Sequence, residues 1–137
     1  MKSFNPYLNF DGNAREAMTY YAKAFGAELQ MQSFADAGMA QPGNENRVMH
    51  AHLSKGSVVL MASDSPPGKS VVHGNDCYIN IACESEEEID RLFAALADGG
   101  KVEMPVQDTF WGARFGMLTD RFGVHWMMNY EKPKAGG

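Results

Sequence analysis

The fold of this chain is decided by two short stretches that resemble each other, "PYLNF" at residues 6–10 and "CYINI" at residues 77–81. In each stretch a tyrosine and an asparagine alternate with apolar residues, which is the period of a β-strand with two different faces. A run with apolar residues at three- and four-residue spacing follows each stretch, and this spacing predicts a helix with one apolar face. The same order of strand and helix therefore occurs twice, which indicates an internal duplication.

Both predicted helices have sequence signals at their ends. Asn13 precedes Glu16, and Ser85 precedes Glu88, at the three-residue spacing of a capping box, in which two side chains satisfy free backbone N–H groups. Glycines that suit a left-handed helix end follow the two runs: Gly26, Gly99 and Gly100. These signals predict one helix after each of the two matching strands.

Three further strands are predicted in each half, because alternating runs are bounded there by turn residues. In the first half they are "AELQMQSF" (27–34), "NRVMHAHLS" (46–54) and "SVVLMASD" (57–64). In the second half they are "KVEMPV" (101–106), "GARFGMLTD" (112–120) and "VHWMMNYE" (124–131). We therefore expect one α+β domain, 1–137, with two βαβββ halves at 1–64 and 76–131, a linker at 65–75 and a tail at 132–137.

Composition excludes several classes of function. The chain has 137 residues and a net charge of −5, so it lacks the basic surface that nucleic-acid binding requires. No run approaches the length of a membrane helix, and the N-terminal residues lack the apolar stretch of a secretory signal. Cys77 and Cys83 lie on one predicted strand, where a disulfide has poor geometry, and both are expected to be small core residues. We expect a reduced, cytoplasmic protein without nucleic-acid or membrane partners.

Three segments carry a resemblance to a known family: "PYLNFDGNAREAMTYYAKAFGAEL", "HAHLSKGSVVLMASD" and "TFWGARFGMLTDRFGVHWMMN". They resemble the PhnB-like branch of the vicinal oxygen chelate superfamily, which includes glyoxalases, bleomycin-resistance proteins and dioxygenases. The resemblance covers nearly the whole chain and implies duplicated βαβββ units whose curled mixed sheets surround a cavity. The branch is also labelled 3-demethylubiquinone-9 3-methyltransferase-like, but the sequence has no glycine-rich cofactor loop of the methyltransferase kind.

Alternation predicts which face of each strand is polar. In the last strand Trp126 lies on the apolar face, which is expected to pack on a helix, and His125 lies on the opposite face. The resemblance implies that the polar faces line the cavity. The residues predicted to bind a ligand there are Tyr7, Asn9, His50, His52, Tyr78, Asn80, Trp111, His125 and Asn129. The alternative is an open sheet whose polar face meets solvent.

A metal site is a second prediction from the resemblance. Metal-dependent members of the superfamily take ligands from four strand positions, and these correspond to Asn5, His50, Asp76 and Met127. Imidazole and carboxylate suit a divalent ion such as Zn, Mn, Fe or Ni, whereas asparagine is a weak ligand and a thioether is a poor partner for a hard ion. The resemblance thus implies where a metal would bind, whereas two of the four residues at these positions are poor metal ligands.

Two functions follow from these expectations. The first is a metal-free protein that binds a small polar or oxygenated metabolite in the cavity, as the weak metal-ligand set favours. The second is a metal-dependent isomerase, lyase or dioxygenase that acts on a substrate with two adjacent oxygens. A homodimer is expected in either case, because open sheets leave edge strands that self-association can cover.

Overall fold

The structure is a computed structural model, and it describes residues 1–133. It contains two compact units, Met1–Val72 and a second that begins at His73. The boundary between them falls inside the predicted linker, 65–75. Most of the predicted tail, 132–137, lies outside the described residues.

The first unit is a four-stranded mixed sheet with one helix. Its elements are β1 (Tyr7–Phe10), α1 (Ala14–Phe25), β2 (Glu28–Ser33), β3 (Val48–Lys55) and β4 (Val58–Asp64). The strand order is β1-β4-β3-β2, in which β1 runs parallel to β4 and the other pairs are antiparallel. Because β4 lies between β1 and β3, the first strand along the chain pairs with the last one of its unit.

The second unit repeats this plan. Its elements are β5 (Ile79–Ala82), α2 (Glu86–Ala97), β6 (Lys101–Asp108), β7 (Ala113–Thr119) and β8 (His125–Glu131). The strand order is β5-β8-β7-β6, again with a parallel pair, β5 and β8, at one edge. The predicted α+β fold with two βαβββ units is confirmed.

Each helix buries its apolar face on the sheet of its own unit. On α1 the buried side chains include Met18 and Tyr21, and the helix packs on β2, β3 and β4. On α2 they include Ile89 and Leu96, and the helix packs on β6, β7 and β8. The opposite face of each sheet is left without a helix from its own unit, and there the predicted polar side chains lie.

The start of α1 is held by a residue distant in sequence. The predicted capping box fails there, because the Asn13 side chain makes no capping hydrogen bond. Asp64, the buried last residue of β4, replaces it: Oδ1 accepts from the N–H groups of Gly12 and Ala14 at 2.9 and 3.0 Å. Its Oδ2 accepts from Val48 N–H at 2.8 Å. One carboxylate thereby joins the helix start, β3 and β4.

The start of α2 follows the sequence signal more closely. Ser85 Oγ accepts from Glu88 N–H at 3.1 Å, as a capping box requires. The Glu88 carboxylate, however, accepts from Glu84 N–H at 2.9 Å, one residue before the expected donor. The predicted helix start is confirmed, with this one change of partner.

A buried carboxylate also organises the turn between β7 and β8. Asp120 Oδ1 accepts from the N–H groups of Phe122 and Val124 at 2.8 and 3.0 Å, and Oδ2 accepts from Trp126 Nε1–H at 2.8 Å. Trp126 is 2% exposed. Its predicted place on the helix-facing side of the sheet is confirmed.

The first strand of each unit is shorter than the alternation predicts, and this corrects two assignments. Alternation places Phe4 on the apolar face of the first strand, with Leu8 and Phe10, but Phe4 precedes β1 and is 91% exposed. Cys77 precedes β5 and is exposed, whereas Cys83 is half-buried just after the strand. Both cysteines are free thiols, in agreement with the predicted absence of a disulfide.

No helix within residues 1–133 combines the length and apolar character needed to cross a membrane.

Candidate functional site

The polar face of the first sheet gathers most of the predicted binding residues of that unit. Tyr7 and Asn9 project from β1, and His50 and His52 from β3. The Tyr7 hydroxyl lies 3.1 Å from His50 Nδ1, and the rings of His50 and His52 have centroids 6.4 Å apart. Asn9 Oδ1 accepts a long hydrogen bond of 3.4 Å from Ser63 Oγ on β4. The predicted alternation thus brings these four residues to one surface.

An open groove of about 320 Å³ lies along β2 and β3. It is lined by Gln30, Met31, Gln32, His50 and His52. In the antiparallel register Gln30 faces His52 and Gln32 faces His50, so each imidazole has a side-chain amide beside it. These pairs supply both hydrogen-bond donors and acceptors to anything that enters the groove.

The polar face of the second sheet carries a connected side-chain network. Tyr78 Oη donates to Glu103 Oε2 at 2.5 Å, and Thr119 Oγ1 donates to Glu103 Oε1 at 2.6 Å. His125 Nδ1 lies 2.8 Å from Thr119 Oγ1, and its Nε2 lies 2.7 Å from the carbonyl oxygen of Gly74. The network therefore links β6, β7 and β8 with the segment that precedes β5, which carries Gly74 and Tyr78.

Counting hydrogens assigns the donors of this network. A carbonyl oxygen can only accept, so His125 Nε2 carries a hydrogen towards Gly74. Thr119 has a single hydroxyl hydrogen, and the 2.6 Å contact with Glu103 uses it. The same Thr119 oxygen lies 2.8 Å from His125 Nδ1, so this hydroxyl group connects the imidazole ring with the Glu103 carboxylate.

The network also sets the charge state of two of its members. Hydrogen bonds from Thr119 and then Tyr78 hold the pKa of Glu103 below its usual value, so this carboxylate is ionised at neutral pH. The hydrogen bond to Glu103 raises the pKa of the Tyr78 phenol, which therefore stays protonated. Both effects keep the hydrogen of the Tyr78 hydroxyl directed at Glu103.

The remaining predicted residues of the second unit lie around this network. Asn80 pairs in register with Met127, and Asn129 pairs with Phe115, so these side chains continue the polar face away from His125. Trp111 lies in the turn between β6 and β7, is 59% exposed, and meets Phe115 with ring centroids 6.4 Å apart. It stands beside the polar face and does not close it.

Sequence reasoning missed four polar residues of the two faces: Gln30, Gln32, Glu103 and Thr119. The signal was present for the glutamines, because "LQMQ" alternates as clearly as the strands that were used. Glu103 and Thr119 lie on β6 and β7, two strands that were predicted from the sequence without an assignment of their polar faces. The sequence had no means of showing that Glu103 would meet both Tyr78 and Thr119.

The residues at the predicted metal positions do not form a donor set suited to a divalent ion. They offer one imidazole, one carboxylate, an amide and a thioether, whereas zinc sites usually use at least three imidazole, thiolate or carboxylate donors. Within residues 1–133 no three His, Cys, Asp or Glu side chains are grouped closely enough to hold a metal. The Asn5 amide oxygen accepts from Ser3 Oγ at 3.2 Å. We assign no catalytic step to a metal, and the site at Asn5, His50, Asp76 and Met127 stays a prediction.

The Cys83 thiol and the Arg114 guanidinium have structural surroundings and lie outside the polar faces. Burial raises the pKa of the Cys83 thiol to about 11, so it is a poor nucleophile at neutral pH. Arg114 pairs with Asp90 and Asp108 at 3.0 and 3.2 Å, on the helix-facing side of its sheet. Its guanidinium is therefore engaged by carboxylates and does not face the polar surface.

Comparison with known structures defines the class of protein. Two βαβββ units with open mixed sheets are also the fold of glyoxalase/bleomycin resistance/dioxygenase proteins. A crystal structure of protein PA1353 from Pseudomonas aeruginosa shares 44% identity with this chain and superposes with a TM-score of 0.89, over 97% of this chain and all of that one. A putative 3-demethylubiquinone-9 3-methyltransferase, PhnB protein, from Bacillus cereus shares 28% identity with a TM-score of 0.77, over 94% and 99% of the two chains. The chain is thus a PhnB-like member of the vicinal oxygen chelate superfamily.

Within that class the family is defined by sequence. Residues 2–129 match the family described as 3-demethylubiquinone-9 3-methyltransferase, and the chain belongs to that family. Protein YjdN from Escherichia coli is 38% identical over 93% of this chain and 95% of its own.

Proposed function

We propose that this protein binds a small polar or oxygenated metabolite at the polar faces of its sheets. One observation carries the proposal. The groove beside β2 and β3 is lined by two pairs of an amide and an imidazole on neighbouring strands, Gln30 with His52 and Gln32 with His50. Polar side chains that converge on a groove are typical of sites that orient a small-molecule ligand.

The chemistry of the groove favours an oxygenated ligand. Each glutamine offers two N–H donors and a carbonyl acceptor, and His52 can donate or accept. Their spacing follows the register, with Gln30 beside His52 and Gln32 beside His50. Hydroxyl and carbonyl oxygens of a small metabolite can use such pairs together. The second candidate function is conversion of that metabolite by a metal-dependent reaction. The residues at the predicted metal positions do not supply a suitable set of metal ligands for it.

Gln32→Leu tests the groove directly. The substitution keeps the size of the side chain but removes all its hydrogen bonding, so a ligand group paired with it would lose its partner. We expect on the order of tenfold weaker binding of a small oxygenated metabolite identified in a thermal-shift screen. Isothermal titration calorimetry measures the change, and unfolding is expected to be unaffected because Gln32 is exposed.

Gln41→Leu is the matched control, since Gln41 is an exposed glutamine in the loop between β2 and β3 and does not line the groove. Equal loss of affinity in both variants would show that the groove does not carry the interaction. His50→Asn should also weaken binding at little cost in stability. A screen in which no metabolite stabilises the parent protein would contradict the proposal as a whole.

We further propose a homodimer in a reducing, cytoplasmic environment. Strand β6 is an edge strand whose Val102 and Met104 are 44% and 38% exposed, and the turn after it exposes Phe110 at 96%. Association would cover both the edge and these apolar side chains. The free thiols of Cys77 and Cys83 agree with a reducing compartment.

Light scattering at micromolar concentration tests the dimer. The expected mass is twice the chain mass of 15.1 kDa. A value equal to the chain mass would refute self-association at that concentration.

A further inference from the structure

The polar network on the second sheet is formed by Tyr78, Glu103, Thr119 and His125. Its hydrogen-bond donors are all engaged within the protein. The Tyr78 hydroxyl hydrogen and the Thr119 hydroxyl hydrogen both point at Glu103. Both His125 nitrogens are engaged, one by Thr119 and one by Gly74. No polar hydrogen of these four side chains remains for an external partner.

What remains available on the network is a set of acceptors. Each Glu103 oxygen receives one hydrogen bond and has capacity for a second, and the Tyr78 oxygen still has its lone pairs. The Glu103 side chain is 28% exposed, whereas that of His125 is 11% exposed. A molecule that approaches the network therefore meets a carboxylate and a phenol oxygen before it meets the imidazole ring.

The backbone places Glu103 for this role. Val102 pairs with Leu118 and Met104 pairs with Met117, so Glu103 is the extra residue of a β-bulge in β6. A bulge leaves its residue out of the regular ladder and redirects the side chain, and such irregularities are common beside functional sites. The bulge therefore provides a second reason, independent of the hydrogen-bond count, to regard this position as a site.

We propose that Glu103 and Tyr78 form a binding subsite for a hydrogen-bond donor, an O–H or N–H group of a small ligand, and that this subsite rejects anions. The inference rests on the proposed function and names the ligand chemistry of one of its two polar faces. The first face differs, because the Gln30 and Gln32 amides there offer donors as well as acceptors.

Three two-carbon probes separate the possible ligand groups: ethylammonium carries N–H donors, ethanol carries an O–H donor, and acetate carries only acceptors. Each is titrated into the full-length protein in an amine-free buffer, and NMR follows the Thr119 methyl group and the Tyr78 ring. We expect saturable shifts with ethylammonium, ethanol or both, and none with acetate. A response to ethylammonium alone would assign the ligand group as an amine, and a response to ethanol would extend it to hydroxyls.

Glu103→Gln replaces one acceptor oxygen with an N–H donor and removes the charge. The variant should bind the responding probe about tenfold more weakly, as expected for loss of a hydrogen bond to a charged group. Glu87→Gln is the matched control, because Glu87 is exposed on α2 and the charge change is the same. Equal binding by Glu103→Gln and the parent would overturn the subsite. If Glu103→Gln were unfolded, the subsite would be tested by the parent protein alone, through its binding of ethylammonium or ethanol compared with acetate.

Failure of this inference is distinguishable from failure of the proposed function. The ring resonances of His50 and His52 report on the groove of the first unit in the same titrations and in the metabolite screen. Metabolite-induced shifts at His50 and His52, with Thr119 and Tyr78 unresponsive to the donor probes, would overturn the subsite and leave the groove in place. Shifts of Thr119 and Tyr78 that are as large with acetate as with ethylammonium or ethanol would also overturn it.

Discussion

Trp126→Ala is expected to cost roughly 3–5 kcal/mol of unfolding free energy, the range for truncation of a large buried aromatic side chain. Trp126 is 2% exposed, and its indole N–H satisfies Asp120 Oδ2 at 2.8 Å. The substitution therefore leaves a cavity between β8 and α2 and also removes one partner of a buried carboxylate. Denaturant unfolding, followed by circular dichroism, measures the loss.

Trp111→Ala is the natural comparison, since the same side chain is removed from a position that is 59% exposed. It should stay within about 1 kcal/mol of the parent protein, as surface substitutions do. The opposite ranking would mean that the two faces of β8 are assigned the wrong way round. In that case Trp126 would face a ligand, and His125, Met127 and Asn129 would not.

Asp64→Ala is expected to have an effect of similar size in the first unit, about 3–5 kcal/mol. Three backbone N–H groups lose their acceptor at once: those of Gly12, Ala14 and Val48. Two of these bonds are buried, so water does not readily replace the carboxylate. Thermal unfolding should show a lower midpoint, on the order of 10 °C for a chain of this size.

Asp76→Ala removes the same charge from an exposed position and should leave the midpoint nearly unchanged. Asp64→Asn gives an intermediate case, because the amide keeps one acceptor oxygen but turns an N–H group towards a backbone donor. An Asp64→Ala protein as stable as the parent would show that the Asn13 side chain or solvent caps α1 in solution. The predicted capping box would then be restored.

The sequence predicted the fold because its main signals are local and occur twice. Alternation in "VHWMMNYE" separates Trp126 from His125 without any knowledge of the neighbouring strands, and the structure confirms both faces. Helical spacing and the Ser85 cap likewise depend on residues a few positions apart. Such patterns are set by the geometry of a single strand or helix, so one chain suffices to read them.

Interactions between distant residues could not be read in this way. The cap of α1 comes from Asp64, fifty positions after Ala14. Asn13 is a favourable capping residue in the sequence, and nothing near it indicates that its side chain would make no capping hydrogen bond. Glu103 was missed for a related reason, because its role depends on a bulge in β6 and on two partners outside that strand, Tyr78 and Thr119. Candidate residues on one strand were predicted, whereas the network that joins three strands and the segment before β5 was not.

The parallel pairing of β1 with β4 has a consequence for how the chain is made. During synthesis β1 emerges first, but its partner is complete only when Asp64 has left the ribosome, and the same residue then caps α1. The N-terminal strand and the helix start must therefore wait for the end of their own unit, and loop closure over this distance slows their formation. Every residue in that set of contacts lies within the first unit, Met1–Val72, so these contacts can form while the second unit is still being translated.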